Sequence, residues 1–417
     1  MKAASPSLEL ARQSPSRPVF WLLWGDKSVA SSRFQGYLIH KHLVRLGHPS
    51  FLLLAPSRKV HDVPWPEESH WEIAALVDSG IAIFQKLGGF LTEHLVGVLR
   101  EFGATTVFVQ ADYDVDNQVP FRCDIVVACS EYLARFYREA GAKNVAYIPD
   151  PVDFWCKHSA AGRRSQRTHH LRVCWNGHRD NWDALTLVRE ILREPEFADM
   201  RLTTVSNHPE ADVRWSIRNL RNAMNQCDLG IVPVSRGPEA SSKSGNRVVQ
   251  FMAAGIPVVA GRIPAYEEVI RNGWNGFLAD SAEEYREALR ALRDPETRRL
   301  IAARAHELAR KEFSLEAIGR EWLNLFDSLP KREDTKERHG IGVAQNASRL
   351  LSKLALRAKL NLGIHSIVNR EYLSAAKDFA GTFPTVAAHP GVLGEYLPMC
   401  SRAALRIKDR IIRRAKN

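Results

Sequence analysis

Short apolar segments alternate with longer amphipathic segments over residues 18–330. A short apolar run bounded by glycine, proline or polar residues predicts a buried strand, and apolar positions at helical spacing predict a helix. In the first half, the predicted strands are 19–24, 51–54, 81–84, 105–110, 124–128 and 144–148. The helices predicted between them are 34–46, 89–102 and 131–140. Such alternation is typical of a parallel, doubly wound α/β sheet.

The alternation stops at Pro149–Asp153 and at the polar, basic residues 157–170, which we interpret as a linker. It then restarts with strands at 171–175, 200–205, 229–234, 256–260 and 277–279. The helices of this second set are predicted at 184–194, 213–226, 283–293, 296–311 and 313–329. We therefore expect two Rossmann-like domains, residues 17–150 and 168–330, facing a cleft at the carboxyl ends of their strands.

The charge of +11 is concentrated beyond these domains. Residues 331–417 contain 17 Lys and Arg against 7 Asp and Glu, so the rest of the chain is nearly neutral. Basic and apolar residues interleave in 347–362 and 403–416, which predicts a basic, mainly helical extension. Such segments suit an anionic membrane surface, so we expect one to bind through 347–416. No nucleic-acid partner is predicted, because the two domains lack a basic stripe.

The lengths of the apolar runs also restrict where in the cell the protein is expected. None is long enough for a membrane span, and residues 19–24 are too short for the core of a signal peptide. The six cysteines lack paired metal-ligand spacing, which favours reduced thiols. We expect a cytoplasmic protein that associates peripherally with the inner face of the membrane.

Residues 243–260 contain the strongest candidate for chemistry. A basic loop precedes a short helix, with Ser244 and Asn246 as predicted caps and Gly255 as its end. Unpaired amides at a helix start, beside Lys243 and Arg247, favour binding of a phosphate or diphosphate. The alternative is a solvated basic loop before an ordinary helix.

Five stretches together resemble a GT-B glycosyltransferase, most closely the family 4 (group 1) enzymes that use nucleotide sugars. In order they lie at 33–48, 144–153, 173–177, 227–233 and 243–276. The resemblance implies a second domain that binds a nucleoside diphosphate sugar and a first domain that mainly binds the acceptor. It further implies a retaining reaction without a metal or other cofactor, because fixed cations stabilise the departing diphosphate.

The resemblance carries over to particular residues of the second domain. The family often has a Gly-Arg pair after the first strand, and here Gly177, His178 and Arg179 occupy that loop. Arg179, Lys243 and Arg247 are the predicted catalytic cations. The remaining predicted donor contacts are Asn246, Gln250 and Glu268. The family's two glutamates correspond to Ser242 and Gln250 here, so we expect Gln250 to bond a ribose hydroxyl.

On the acceptor side, Arg33 and Lys86 follow predicted strands and should face the cleft. The alternative is that each is an ordinary surface residue near the end of a helix or strand. Asp112, Asp114 and Asp116 alternate as in some metal sites. Because they follow a strand of the acceptor domain, we predict acceptor contacts or loop caps and no metal. Asp112 or Asp114 could orient an acceptor hydroxyl as a base.

These features predict a hexosyltransferase that moves a sugar from a nucleoside diphosphate sugar to a saccharide or lipid-linked acceptor. By analogy we place it in polysaccharide or glycoconjugate synthesis. Two alternatives stay open. One is a nucleotide-sugar epimerase of the same two-domain shape, and the other is a non-catalytic scaffold that binds sugar nucleotides.

Overall fold

The computed structural model describes residues 16–112, 114, 116–156, 170–235 and 238–330. The predicted basic extension and most of the predicted linker lie outside these residues. Among the described helices, none combines the length and the apolar character that a membrane crossing requires.

The first sheet contains six strands in the order β2-β1-β3-β4-β5-β6. Their bounds are β1 Val19–Leu23, β2 Ser50–Leu54, β3 Ile81–Gln85, β4 Thr105–Gln110, β5 Ile125–Ala128 and β6 Val145–Tyr147. β1 pairs in parallel with both β2 and β3, and all five of its residues are buried. A strand covered on both faces is apolar throughout, which explains the continuous runs in the sequence.

Helices connect the strands of this sheet. Helix α1 comprises Ala30–Ser32 and Leu38–Arg45, joined by a π-helical turn at Arg33–Tyr37. The others are α2 His70–Val77, α3 Phe90–Glu101, α4 Val119–Arg122 and α5 Glu131–Glu139. Residues 56–70 are rich in proline, histidine and charge, which predicts a loop, but no helix is predicted after them where the structure has α2. That helix is apolar around most of its circumference, so it shows little helical periodicity in the sequence.

The second sheet also has six strands, ordered β12-β11-β10-β7-β8-β9. Their bounds are β7 Leu171–Gly177, β8 Met200–Ser206, β9 Val213–Arg214, β10 Leu229–Val232, β11 Val258–Gly261 and β12 Phe277–Ala279. Its helices are α6 Thr186–Arg193, α7 Ile217–Gln226, α8 Pro238–Ser241, α9 Asn246–Ala253, α10 Pro264–Glu267, α11 Ala282–Ala291, α12 Pro295–Glu312 and α13 Leu315–Ser328.

Adjacent residues of β7 belong to different hydrophobic clusters. Cys174 packs with the cluster that contains α9, whereas Val173 and Trp175 pack with the cluster that contains α6 and α11. Successive strand side chains point to opposite faces, so β7 anchors both layers of helices. The predicted α/β class with two doubly wound sheets is confirmed.

Two local predictions need correction. The helix predicted over 213–226 is wrong at its start, because Val213 and Arg214 pair with β8 as β9. Ser216 then caps α7 by accepting from the amide of Asn219 at 3.0 Å. The cap of α9 is Gly245 rather than Asn246, and the Ser244 hydroxyl accepts from the Asn246 amide at 3.4 Å.

The chain divides into two compact units. The first takes the described residues up to Val109, residues 116–126, and the end of α13 from Leu325. The second takes Gln110, the following loop and Val127–Asn324. This division differs from the domain bounds expected from the sequence, because it groups residues 127–150 with the second unit.

Candidate active site

The strand order of the second sheet reverses between β7 and β10, which are neighbours in the sheet although they are not consecutive in the chain. Ligands of such sheets bind at the carboxyl ends of the strands beside this switch point. The loop after β7 contains His178, Arg179 and Asn181, and the loop between α8 and α9 contains Lys243. Sequence-predicted site residues therefore lie at the edge where a ligand is expected.

Hydrogen bonds join three loops at this edge. Lys243 donates from Nζ to Asn181 Oδ1 at 2.7 Å. Asn207, which follows β8, accepts from the backbone amide of Arg179 at 2.8 Å and lies 3.0 Å from His178 Nε2. The loops that carry Lys243, His178 and Arg179 are therefore tied together at this edge of the sheet.

The start of α9 adds a second cation. Arg247 lies in its first turn, and Nη1 of its guanidinium is buried without a hydrogen-bond partner among the described residues. A buried donor left unpaired is costly, and an anionic oxygen is the strongest acceptor for it. Asn246 donates instead to the buried carboxylate of Asp150 at 3.3 Å.

The side chain of Arg179 has 67% of its surface exposed and lies 3.8 Å from the Asp180 carboxylate. His178 Nδ1 is 2.9 Å from the same carboxylate, and its side chain is half exposed. Both side chains therefore face solvent on a loop whose backbone is held by Asn207.

Gln250 has a structural use in this fold. Its Oε1 accepts from the amide of Asp153 at 3.1 Å, and its Nε2 donates to the carbonyl of Phe154 at 2.7 Å. Both Gln250 and Ser242 are buried. The amide therefore holds the 153–154 backbone against α9, and the predicted ribose contact stays a prediction.

Glu268 also has a local partner. Its carboxylate accepts from the amide of Glu131 at 3.1 and 3.2 Å and from that of Tyr132 at 3.2 Å, at the start of α5. Burial raises the pKa of the Glu268 carboxyl above its usual range, although these amides act in the opposite direction. A carboxylate at a helix start interacts favourably with the helix dipole, so Glu268 stabilises α5.

Gly177 ends β7, where a Cβ atom would lie 2.5 Å from the ring of Trp175. Glycine is thus required at this position by the packing of a fully buried tryptophan. Its predicted role in donor binding is untested by this contact.

In the first sheet, the corresponding change of strand order lies between β1 and β3. Gln85, the last residue of β3, accepts from the Ser32 hydroxyl at 2.9 Å and donates to Gln35 at 3.2 Å. Arg33 and Lys86 are the chain neighbours of these residues, so the fold brings both predicted acceptor-side cations to one edge. Arg33 is only 5% exposed and donates to the carbonyl of Lys27 at 3.1 Å.

Asp112 is exposed and Asp114 is half-buried, both in the loop after β4. Within the part of the chain that the structure describes, no three His, Cys, Asp or Glu residues are grouped so as to hold a metal ion.

Three polar residues of the site escaped prediction: Asn181, Asn207 and Asp150. Asn207 had a usable signal, because it follows directly on a predicted strand of the second domain. Asn181 and Asp150 accept hydrogen bonds from Lys243 and Asn246, which lie 62 and 96 positions away in the chain. No local sequence pattern reveals such pairs.

Comparisons with known proteins concern the fold and the second domain. Residues 183–294 match the family model described as Glycosyl transferases group 1. This segment includes Lys243, Arg247, Gln250 and Glu268, and it begins after Arg179. No curated protein matches the chain.

The chain is also similar to solved structures along nearly their whole length. A glycosyltransferase from Rickettsia africae ESF-5 shares 14% identity at a TM-score of 0.59, covering 75% of this chain and 98% of that one. HepE from Anabaena, in complex with UDP and glucose, shares 16% identity at 0.56, covering 75% and 100%. Sucrose-phosphate synthase from Thermosynechococcus elongatus shares 14% identity at 0.54, covering 75% and 98%.

The fold is therefore that of the GT-B glycosyltransferases, and the second domain resembles the group 1 family. The resemblance stated from the sequence is confirmed at this level.

Proposed function

We propose that the protein transfers a hexosyl group from a nucleoside diphosphate sugar to a saccharide or lipid-linked acceptor. The transfer retains the anomeric configuration and serves the synthesis of a polysaccharide or another glycoconjugate. One observation carries the proposal: Lys243, bonded to the loop after β7, and Arg247, with a buried unpaired Nη1, flank one helix start. The UDP and glucose bound to the structurally similar HepE support a nucleotide-sugar donor.

The chemistry follows from where negative charge develops. The bond between the sugar C1 and the diphosphate oxygen breaks, and its electron pair stays on the diphosphate. An acceptor hydroxyl bonds to C1 from the side that the diphosphate leaves, and its proton passes to the departing diphosphate oxygen. Lys243, Arg247 and the first amides of α9 stabilise the departing diphosphate, and Arg179 adds a third cation from the facing loop. Positively charged groups held in place before the reaction lower the barrier more than mobile ions would.

The first test combines binding and turnover. A nucleoside diphosphate at about 100 times its dissociation constant should stabilise the protein by about 2.7 kcal/mol, visible as a raised melting temperature. Lys243→Ala and Arg247→Ala should each lose most of this shift. Each should also slow sugar transfer by about tenfold to a thousandfold, the range for removal of one stabilising group.

Lys311→Ala is the matched control, because Lys311 is a 73% exposed lysine of α12 that pairs with Glu312 at 3.8 Å. It should leave both measurements unchanged. Full transfer activity in folded Lys243→Ala and Arg247→Ala variants would contradict the proposal. Conversion of the donor into an epimer without any acceptor would contradict it as well.

The occupied amide of Gln250 favours a second candidate, a protein that binds sugar nucleotides without transferring the sugar. Where the related enzymes often have a glutamate pair, this chain has the buried Ser242 and a glutamine bonded to its own backbone. Donor binding by calorimetry, with no transfer to acceptors from cell extract, would support this candidate.

A further inference from the structure

Two lysines of the first unit lie over one indole ring. Lys59 Nζ is 4.5 Å from the centroid of Trp24, and Lys86 Nζ is 4.4 Å from it. The two ammonium groups are thus separated by no more than the sum of these distances. Each ammonium group is attracted to the electron-rich indole, and an anion that contacts both groups would offset their mutual repulsion.

The backbone at Lys86 is strained. Its φ of +56° is in the left-handed region that residues with a Cβ avoid. The segment is held in place by three hydrogen bonds: Lys86 N to Val109 O at 3.1 Å, Gly88 N to His61 O at 2.7 Å, and Asn117 Nδ2 to Leu87 O at 3.1 Å. Strain maintained by so many contacts is characteristic of functional positions.

Lys59 is brought to Trp24 by a separate segment. The amide of Val60 donates to the Trp24 carbonyl at 2.9 Å, and the Trp24 amide donates to Gln85 Oε1 at 3.3 Å. Three stretches of chain, those at 24, 59–60 and 85–86, therefore meet at one point. We call Trp24, Lys59 and Lys86 the two-lysine site.

The location of the two-lysine site favours a ligand. Leu23 and Gln85 pair across β1 and β3, so Trp24 and Lys86 directly follow their carboxyl ends. The strand order reverses between these two strands, and open α/β sheets bind ligands at that edge. The helix that follows β1 carries the buried Arg33, whose guanidinium lies over the ring of Phe34.

We propose that the two-lysine site binds a phosphate group carried by the acceptor. The inference rests on the proposed function, because it assigns a ligand class to the acceptor side of that enzyme. Lysine acts as a compact point charge, and two such charges match a group that carries up to two negative charges. A neutral saccharide would gain little from them. Sugar phosphates and lipid-linked phosphates share this chemistry.

The test follows the indole N–H resonance of Trp24 in the ¹⁵N-labelled full chain, assigned by its loss in Trp24→Phe. Three probes are titrated: glucose 1-phosphate, farnesyl phosphate and the neutral methyl glucoside. At least one phosphate should shift the Trp24 signal, and methyl glucoside should not. Tighter binding of farnesyl phosphate would place the phosphate on a lipid carrier, and equal or tighter binding of glucose 1-phosphate would place it on a saccharide.

Lys59→Ala and Lys86→Asn should each weaken phosphate binding about tenfold, as expected for loss of one charge-assisted contact. Asparagine is chosen because it tolerates the left-handed backbone at position 86. Lys41→Ala is the control, since Lys41 also lies over an aromatic ring, 5.6 Å from the centroid of Tyr37, but on a helix. It should bind like the unaltered chain.

A Trp24 signal that responds to neither phosphate, or responds equally to methyl glucoside, would overturn the inference. So would unchanged binding in folded Lys59→Ala and Lys86→Asn. Repeating the titration in Lys243→Ala separates the two proposals, because that change should abolish nucleoside diphosphate binding and leave the Trp24 response intact. Failure here would leave the donor assignment standing.

Discussion

Lys243 and Arg247 are four positions apart in the chain, Lys243 in the loop before α9 and Arg247 in its first turn, and the fold holds their charges differently. Lys243 bonds Asn181 and so ties its loop to the loop after β7, whereas Arg247 has an unpaired nitrogen buried at the start of α9. Removing Lys243 therefore frees a loop as well as removing a charge. Removing Arg247 takes away a buried donor whose best acceptor is an anionic ligand.

His70 makes stability depend on pH. It is fully buried beside His94, its Nδ1 lies 2.7 Å from that of His94, and burial lowers the pKa of His70 to about 4. The folded protein keeps this ring neutral, while the unfolded chain protonates it below about pH 6.5. The stability contributed by the neutral His70 ring is therefore present above pH 6.5 and is lost as the pH falls toward 4.

We expect His70 to account for a loss of about 2 kcal/mol in the free energy of unfolding between pH 7.5 and pH 5. Urea unfolding of the unaltered chain and of His70→Gln at both pH values measures the loss of free energy of unfolding that is due to His70. His178→Gln is the control, because that side chain is half exposed on a loop. An equal pH effect in the unaltered chain and in His70→Gln would refute the assignment to His70.

At the scale of elements, the site depends on how closely α9 approaches β10. Gly230 lies on β10, and a Cβ atom there would be 2.5 Å from Cδ1 of Phe251 on α9. Both Phe251 and β10 are fully buried, so the ring has little room to move. The absence of one side chain on the strand thus sets the position of the helix that carries Arg247.

Gly230→Ala should therefore destabilise the protein by about 1–3 kcal/mol through overpacking and also weaken nucleoside diphosphate binding. Thermal melts with and without the nucleotide measure both effects. Gly97→Ala is the matched control, since Gly97 lies in α3 and a Cβ atom added there would meet nothing within 4 Å. Gly97→Ala should stabilise the helix by about 0.5–1 kcal/mol. If Gly230→Ala changed neither stability nor nucleotide binding, α9 would be able to shift, contrary to the prediction.

At the scale of the whole molecule, charge separates the two domains from the C-terminal residues. Residues 331–417 carry nearly all of the net charge, in stretches that interleave Lys and Arg with Leu and Ile. This pattern favours attraction to anionic lipid headgroups, which salt weakens. A lipid-linked acceptor would make such attraction useful for the proposed sugar transfer.

Removal of residues 335–417 should abolish co-sedimentation with phosphatidylglycerol vesicles and leave nucleotide binding unchanged. Each basic residue near an anionic surface contributes about 1 kcal/mol, so binding by the full chain should be strong at low salt. Neutral phosphatidylcholine vesicles are the control. Equal sedimentation of the full and shortened chains with anionic vesicles would count against membrane docking.

Much of the fold could be predicted because buried parallel strands are marked by continuous apolar runs. The strands at 105–110 and 277–279 have the predicted bounds, and the end of α9 at Gly255, with φ of +65°, follows the expected glycine signal. The prediction missed α2, because an apolar helix lacks periodicity. It also misread 213–214, because a two-residue strand is defined only by its pairing with β8.

Local patterns in the chain are enough to predict the two α/β sheets, the position of the basic loop before α9 and the concentration of charge at the C-terminal end. Each follows from residues close together in the chain, where apolar spacing and helix-start chemistry act locally. Three contacts became visible only in the folded chain: Gln250 holds the 153–154 backbone, Glu268 accepts from the first amides of α5, and Lys59 and Lys86 both lie over Trp24. These pairings join residues far apart in sequence, so they exist only after the sheets and helices have packed.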